Sequence, residues 1–455
     1  MAVDAMLPAT IEQAAAALAA GQTTSRALVE ACLERIAEPG GEGGSAFITI
    51  YEDRARRSAD AMDTLRAAGR EPGRYAGIPV SIKDLFDVAG EVTLAGSTVL
   101  RGHPPALENS AAVQRLLAAG MVIVGRTNMT EFAFSGVGIN PHYGTPRSPF
   151  DRASRRISGG SSSGAAVSVS DRMALAAVGT DTGGSCRIPA ALCGIVGFKP
   201  TASRVSLAGT LPLAPSLDSV GPLANSVRCC AIMDAILSGD RIPNETSGTV
   251  AGLRFLIPTN FGFADIDAAT SAAMDRVVSL LVKAGAGVET RAVASFDAIM
   301  QAHARGGMAA TEAFAWHREL LATRAAEYDP RVANRIIPGG DMLAADYVAL
   351  SQARRRIQAQ FAGEIAGVDA IMLPTVPIAP PRIAEFVSDD SYWRLNYLLL
   401  RNPSVINFLD GCAISLPCHE RGAPPAGLMI ACGHMEDARL LRVAAAVERA
   451  LAVMR

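Results

Sequence analysis

Two stretches of the 455-residue chain combine glycine and serine in ways that could serve chemistry. In Gly179-Thr180-Asp181-Thr182-Gly183-Gly184-Ser185 the paired glycines lack Cβ atoms, so the backbone can curl tightly and present successive N–H groups beside a serine hydroxyl. Such a loop could stabilise an oxyanion, although the same spacing also suits a plain turn or an anion-cradling nest. The second stretch, Gly159-Gly160-Ser161-Ser162-Ser163-Gly164, matches the G-x-S-x-G elbow with Ser162 as nucleophile. An elbow needs a buried strand directly before it. Residues 151–157 are instead polar and carry Arg152, Arg155 and Arg156, which disfavours Ser162.

A serine nucleophile also needs a base. Of the six histidines (His103, His142, His303, His317, His419 and His434), only the last two lie late in the chain, where a catalytic histidine would be expected. Lysine can replace histidine if burial and nearby positive charge keep it neutral, and Lys83 alone emerges from an apolar strand ahead of both serine loops. A surface lysine at a strand end is the alternative.

Lys83, the 159–164 segment and Asp181–Ser185 occur in this order, with Ser161 and Ser185 24 positions apart. They are followed by Cys186-Arg187-Ile188-Pro189-Ala190 and by the segment from Gly194 to Pro200. Together these resemble the amidase signature family. Weaker similarity spans nearly the whole chain, including Thr127–Phe132 and Pro425–Ile430; Ser163 and Cys186 depart from the family's usual glycine and apolar residue.

The resemblance implies that Ser185 attacks a carbonyl, that Ser161 relays the proton through a cis peptide, and that Lys83 is the ultimate base and later the proton source. It also implies an oxyanion hole from the N–H groups of Thr182, Gly183, Gly184 and Ser185, with Ser162, Asp181 and Arg187 as structural support. Ala133, Phe134 and Ser135 should line the acyl side of the pocket, with Leu398-Leu399-Leu400 as an apolar wall or lid. The fold implied is α/β, a mixed central sheet flanked by helices in one domain over 1–455. Its core would cover about 60–225 and 365–455, with a less regular substrate-pocket and helical insertion at about 225–365. No metal or cofactor is implied. The expected activity is hydrolysis of the C–N bond of a small neutral amide or carbamate (urethane), aryl or partly apolar, through an acyl-enzyme. Phe132-Ala133-Phe134-Ser135-Gly136 offers no cation for an anionic substrate, which leaves Arg204 or Arg401 as residues that could reach in. Two rivals are the A-type chain of a glutamyl-tRNA amidotransferase, which needs partner chains, and an esterase using Ser162 and a histidine.

The elements that must position these residues are legible in outline. Helical periodicity runs from Ile11 to about Ile36 with a break at Gly21, ends in a Gly-rich turn from Pro39 to Gly44, and returns over about 54–68, 113–119 and 165–177. Ile78-Pro79-Val80-Ser81-Ile82 reads as a strand that ends at Lys83, and Met121–Gly125 as a buried strand. Residues 135–164 form a long irregular loop of the functional kind. Beyond Pro222 the pattern predicts a helix from Ser226, strands at 253–257 and 370–373, and helices over about 268–284 and 347–365.

Composition bounds the rest. Hydrophobic residues make up 49% and charged residues 19%, so the chain can bury a large core and is not disordered. A net charge of −2 with no basic block longer than the Arg152–Arg156 patch argues against nucleic acid as partner. The eight cysteines lack C-x-x-C spacing and suit a reducing cytoplasm. Asp4 stands where a signal peptide would be basic, and no run reaches the roughly 18 apolar residues of a membrane span. The expectation is a cytoplasmic monomer or homodimer that acts on a small molecule.

Overall fold

Short β-rich runs alternating with amphipathic helices build one mixed sheet of 11 strands flanked by helices. The computed structural model describes residues 7–242, 248–303 and 306–452. The strands are β1 (Phe47–Ile50), β2 (Pro79–Lys83), β3 (Val122–Thr127), β4 (Ala176–Thr180), β5 (Val196–Lys199), β6 (Val220–Ala224), β7 (Arg254–Pro258), β8 (Gly287–Arg291), β9 (Ala370–Pro374), β10 (Cys412–Pro417) and β11 (Gly427–Cys432). Their order across the sheet is β1-β3-β2-β4-β6-β5-β10-β11-β9-β7-β8.

The central strands are buried on both faces, which is why they read as continuous apolar runs. β2 lies between β3 and β4 and is parallel to both, with Ile82 in register with Val178. Parallel neighbours share an edge for their carboxyl ends, so Lys83 and Thr180 emerge side by side. β6 runs antiparallel to β4 and pairs Val220 with Thr180, which returns Ser219 and Asp218 to that same edge.

Two expectations change. The helix expected over 165–177 is two elements, a helix over Ser163–Ser170 and then β4, because Arg172 takes a left-handed turn (φ 60°) that breaks the helix. The Pro39–Gly44 segment is not all turn, since a short helix starts at Gly43. The stretch at about 225–365 holds helices at Val227–Ser238, Ala268–Lys283, Met308–Arg324 and Ala344–Glu364. It also supplies β7 and β8, which join the same sheet through β9. Among the described residues no helix is long and apolar enough to cross a membrane.

Candidate active site

The Ser163–Ser170 helix sits so close to the sheet because its small residues permit it. A Cβ on Gly164 would lie 2.2 Å from the Ala46 carbonyl oxygen. The helix start is thereby pinned: Gly164 N–H donates to the Asn128 carbonyl (2.9 Å), and Ser81 and Ser168 hydroxyls meet at 2.8 Å. The preceding turn follows suit. Gly160 N–H donates to the Gly136 carbonyl and Thr130 N–H to the Ser161 carbonyl, at 2.9 and 3.0 Å. The Gly160–Ser161 peptide bond is cis.

Ser161 Oγ lies 2.8 Å from Lys83 Nζ, and Thr180 Oγ1 is also 2.8 Å from that nitrogen. All three side chains are buried, Lys83 and Ser161 completely. Burial is the main influence on Lys83 and pulls its pKa from 10.5 down to about 8; charges at Cys186, Asp218 and Asp181 act weakly the other way. Neutral lysine, able to accept a proton, is thus accessible near neutral pH.

The turn after β4 is braced by two carboxylates. Asp181 accepts from Gly184 N–H (2.8 Å), Cys186 N–H (3.1 Å) and the Arg187 guanidinium (2.8 and 3.0 Å). Both members of this ion pair are fully buried. Burial alone would raise the Asp181 carboxyl, yet the Arg187 charge holds it well below the carboxylate range. Asn407 ties the pair to the Asp389–Phe408 helix by donating to the Asp181 carbonyl and carboxylate and accepting from Arg187. Asp218 accepts from the Thr182 hydroxyl and from the N–H groups of Leu213 and Ala214. One expected oxyanion donor is therefore unavailable, because Gly184 N–H is committed to Asp181. The N–H groups of Thr182, Gly183 and Ser185 find no acceptor among the described residues.

Ser185, Thr182 and Gly183 open onto a pocket of about 660 Å³. Ala133, Phe134 and Ser135 line it as well, although the Ser135 hydroxyl is occupied, donating to Asn396 Oδ1 (3.0 Å) and accepting from Tyr392 (2.8 Å). Of the three leucines only Leu400 faces the pocket; Leu399 packs in a separate apolar cluster with Val137 and Leu192. Arg401 lines it but is held by the Ala264 carbonyl (2.6 Å) and Asp265 (3.4 Å). Arg204 is elsewhere, paired with Asp234 and Asp240. Among the pocket residues that sequence reasoning did not place there are Arg335, which enters from the Pro330–Ile336 helix, and His303, whose ring is tilted against Phe408. Thr180, Asp218 and Asn407 escape it too; nothing in a linear pattern marks a residue that matters only through contacts 36 to 226 positions away.

Ser162 is not placed as an elbow nucleophile. Its hydroxyl is buried and donates to the Thr180 carbonyl (3.3 Å), and among the described residues no histidine hydrogen-bonds to Ser161 or Ser162. His434 instead pairs with Asp410 at the surface, and His419 accepts from Ala426 N–H.

A mixed sheet with a buried lysine and two serines at its carboxyl edge is the frame of an amidase, and the chain belongs to the amidase signature family: the Amidase family model matches residues 27–441. It is 35% identical to the 2-amino-5-chloromuconic acid deaminase of Comamonas testosteroni, over 96% of this chain and 95% of the relative. It is 32% identical to the A-type chain of the glutamyl-tRNA(Gln) amidotransferase of Koribacter versatilis, over 98% and 99%. A crystal structure of an amidase superposes with a TM-score of 0.87 at 32% identity, covering 97% of this chain and 99% of that one.

Proposed function

We propose that the chain hydrolyses the C–N bond of a small amide through an acyl-enzyme on Ser185, with Ser161 and Lys83 as a proton relay. The observation that carries this reading is the fully buried Lys83 amine, 2.8 Å from Ser161 Oγ, behind a turn whose Ser185 faces the pocket. Ser185 Oγ attacks the carbonyl carbon while its proton passes to Ser161, whose own proton passes to neutral Lys83. The N–H groups of Thr182, Gly183 and Ser185, without acceptors among the described residues, receive the oxyanion. Collapse expels the amine with a proton returned along the relay, and water then repeats the sequence to release the acid. An aryl carbamate presents the same carbonyl geometry and is within reach of the same groups. Leu213, Leu217, Met308, Leu400 and Phe408 supply apolar walls for the body of the substrate.

A fluorophosphonate should phosphonylate Ser185, since only an activated serine beside oxyanion donors reacts quickly. Peptide mass spectrometry that located the adduct on Ser162 would refute the assignment. Lys83→Ala should lower amide turnover by about 10³-fold or more, as members of a catalytic unit fail together. Near-normal turnover in that variant would revive a histidine base.

A further inference from the structure

Among the described residues, Arg335 is the one pocket-lining arginine whose charge the protein leaves uncompensated. Its guanidinium donates to the Phe134 carbonyl (3.3 Å) and lies over the Phe134 ring, 4.6 Å from the centroid. No carboxylate pairs with it among the described residues, whereas the other lining arginine, Arg401, has Asp265. Half-buried against Phe134, it carries a charge pressed by desolvation below the ordinary guanidinium pKa. A cation held by one carbonyl and an aromatic face but by no carboxylate is suited to pair with an anion, because guanidinium cannot discharge itself as lysine can. The walls add a second constraint. Among the described residues that line the pocket there is neither Asp nor Glu, so a substrate ammonium entering it would meet the unpaired Arg335 charge and no lining carboxylate.

We infer that the pocket takes an amide whose distal end is a carboxylate held by Arg335, with an apolar body and no ammonium group. This rests on the amidase reading above and narrows its substrate class. It replaces the neutral preference expected from residues 132–136, which overlooked a cation delivered from two hundred positions further along the chain. It also separates the chain from an enzyme built to use glutamine, a zwitterion whose ammonium would be unpaired here.

The test is a matched panel: the monoamides of linear dicarboxylic acids from succinamate to suberamate, and 4-carbamoylbenzoate. Each is set against the isostere in which a methyl ketone replaces the carboxylate, with glutamine as the ammonium-bearing counterpart of glutaramate. Binding is measured by calorimetry on Ser185→Ala protein, so that the anchor is read independently of turnover. At least one carboxylate should bind about tenfold or more tighter than its ketone, as a charge-assisted hydrogen bond provides. The added substitution Arg335→Gln should erase that ratio while leaving ketone binding within about twofold. Glutamine should bind more weakly than glutaramate. Equal binding of every carboxylate and its ketone would overturn the inference, as would an Arg335→Gln loss shared equally by both, or glutamine binding best. Carboxylate binding retained on Ser185→Ala protein with no turnover by the unsubstituted enzyme would sink the amidase reading and leave the anchor standing.

Discussion

In the proposed relay Lys83 would serve by being difficult to protonate. Because burial lowers its pKa to about 8, kcat/KM for an amide should rise with pH through about 8 and then level off as the amine becomes the neutral base. A profile flat from pH 6 to 9, or one that falls across that window, would contradict the role. The same shift acts on stability. The folded-state pKa lies below the ordinary value of 10.5, so the unfolded chain binds more protons between about 8 and 10.5, and this group's contribution to stability grows as pH rises through that window. Comparing the pH dependence of Tm with that of Lys83→Met isolates the term. Both serines were legible in the sequence because they stand in glycine patterns, and Lys83 because it ends an apolar strand. Thr180 is the fourth polar group of the cluster, and only the parallel register of β2 and β4 brings it to the amine.

At the scale of elements, the turn from Asp181 to Ser185 is shaped by what lies against it. Gly184 has φ 127°, a conformation in which L side chains are strained, and a Cβ there would come within 2.6 Å of Pro403 and 2.7 Å of Ile188. Gly184→Ala should therefore displace either the turn or the Asp389–Phe408 helix, cutting kcat by about 10²-fold or more through misplaced oxyanion donors. Retention of full kcat would mean that Gly184 is not a fixed point of the site. The glycine pair thus has distinct duties. Gly183 has open space beside it, with Leu400 and Ser404 beyond 3.4 Å, while Gly184 is the close contact with the covering helix.

The whole molecule encloses its thiols. All eight cysteines are buried and unpaired, and burial raises those of Cys32, Cys186, Cys193, Cys230, Cys412 and Cys432 far above the ordinary thiol range. Native protein should react with less than about one equivalent of a charged thiol reagent, rising to eight after denaturation. Rapid reaction of several thiols in the native state would show that the sheet and its helices open more readily than this packing allows. Cys186, next to Ser185, is inert for the same reason: its thiol is buried against the Gly221 carbonyl at 3.5 Å.

The linear chain by itself determined the local chemistry: the two glycine-serine loops, the lysine at a strand end, and the alternation that makes an α/β sheet. Those signals are short-range, since glycine spacing sets what a backbone can do over a few residues and apolar periodicity sets which face is buried. It did not reveal which N–H groups remain open. Gly184 looked like an oxyanion donor until the fold turned Asp181 back onto it. Nor did it reveal the charge of the pocket. Phe134 and Arg335 are 201 positions apart and meet only because the Pro330–Ile336 helix packs beside the catalytic edge, and that long-range placement decides whether the pocket favours a neutral substrate or an anion.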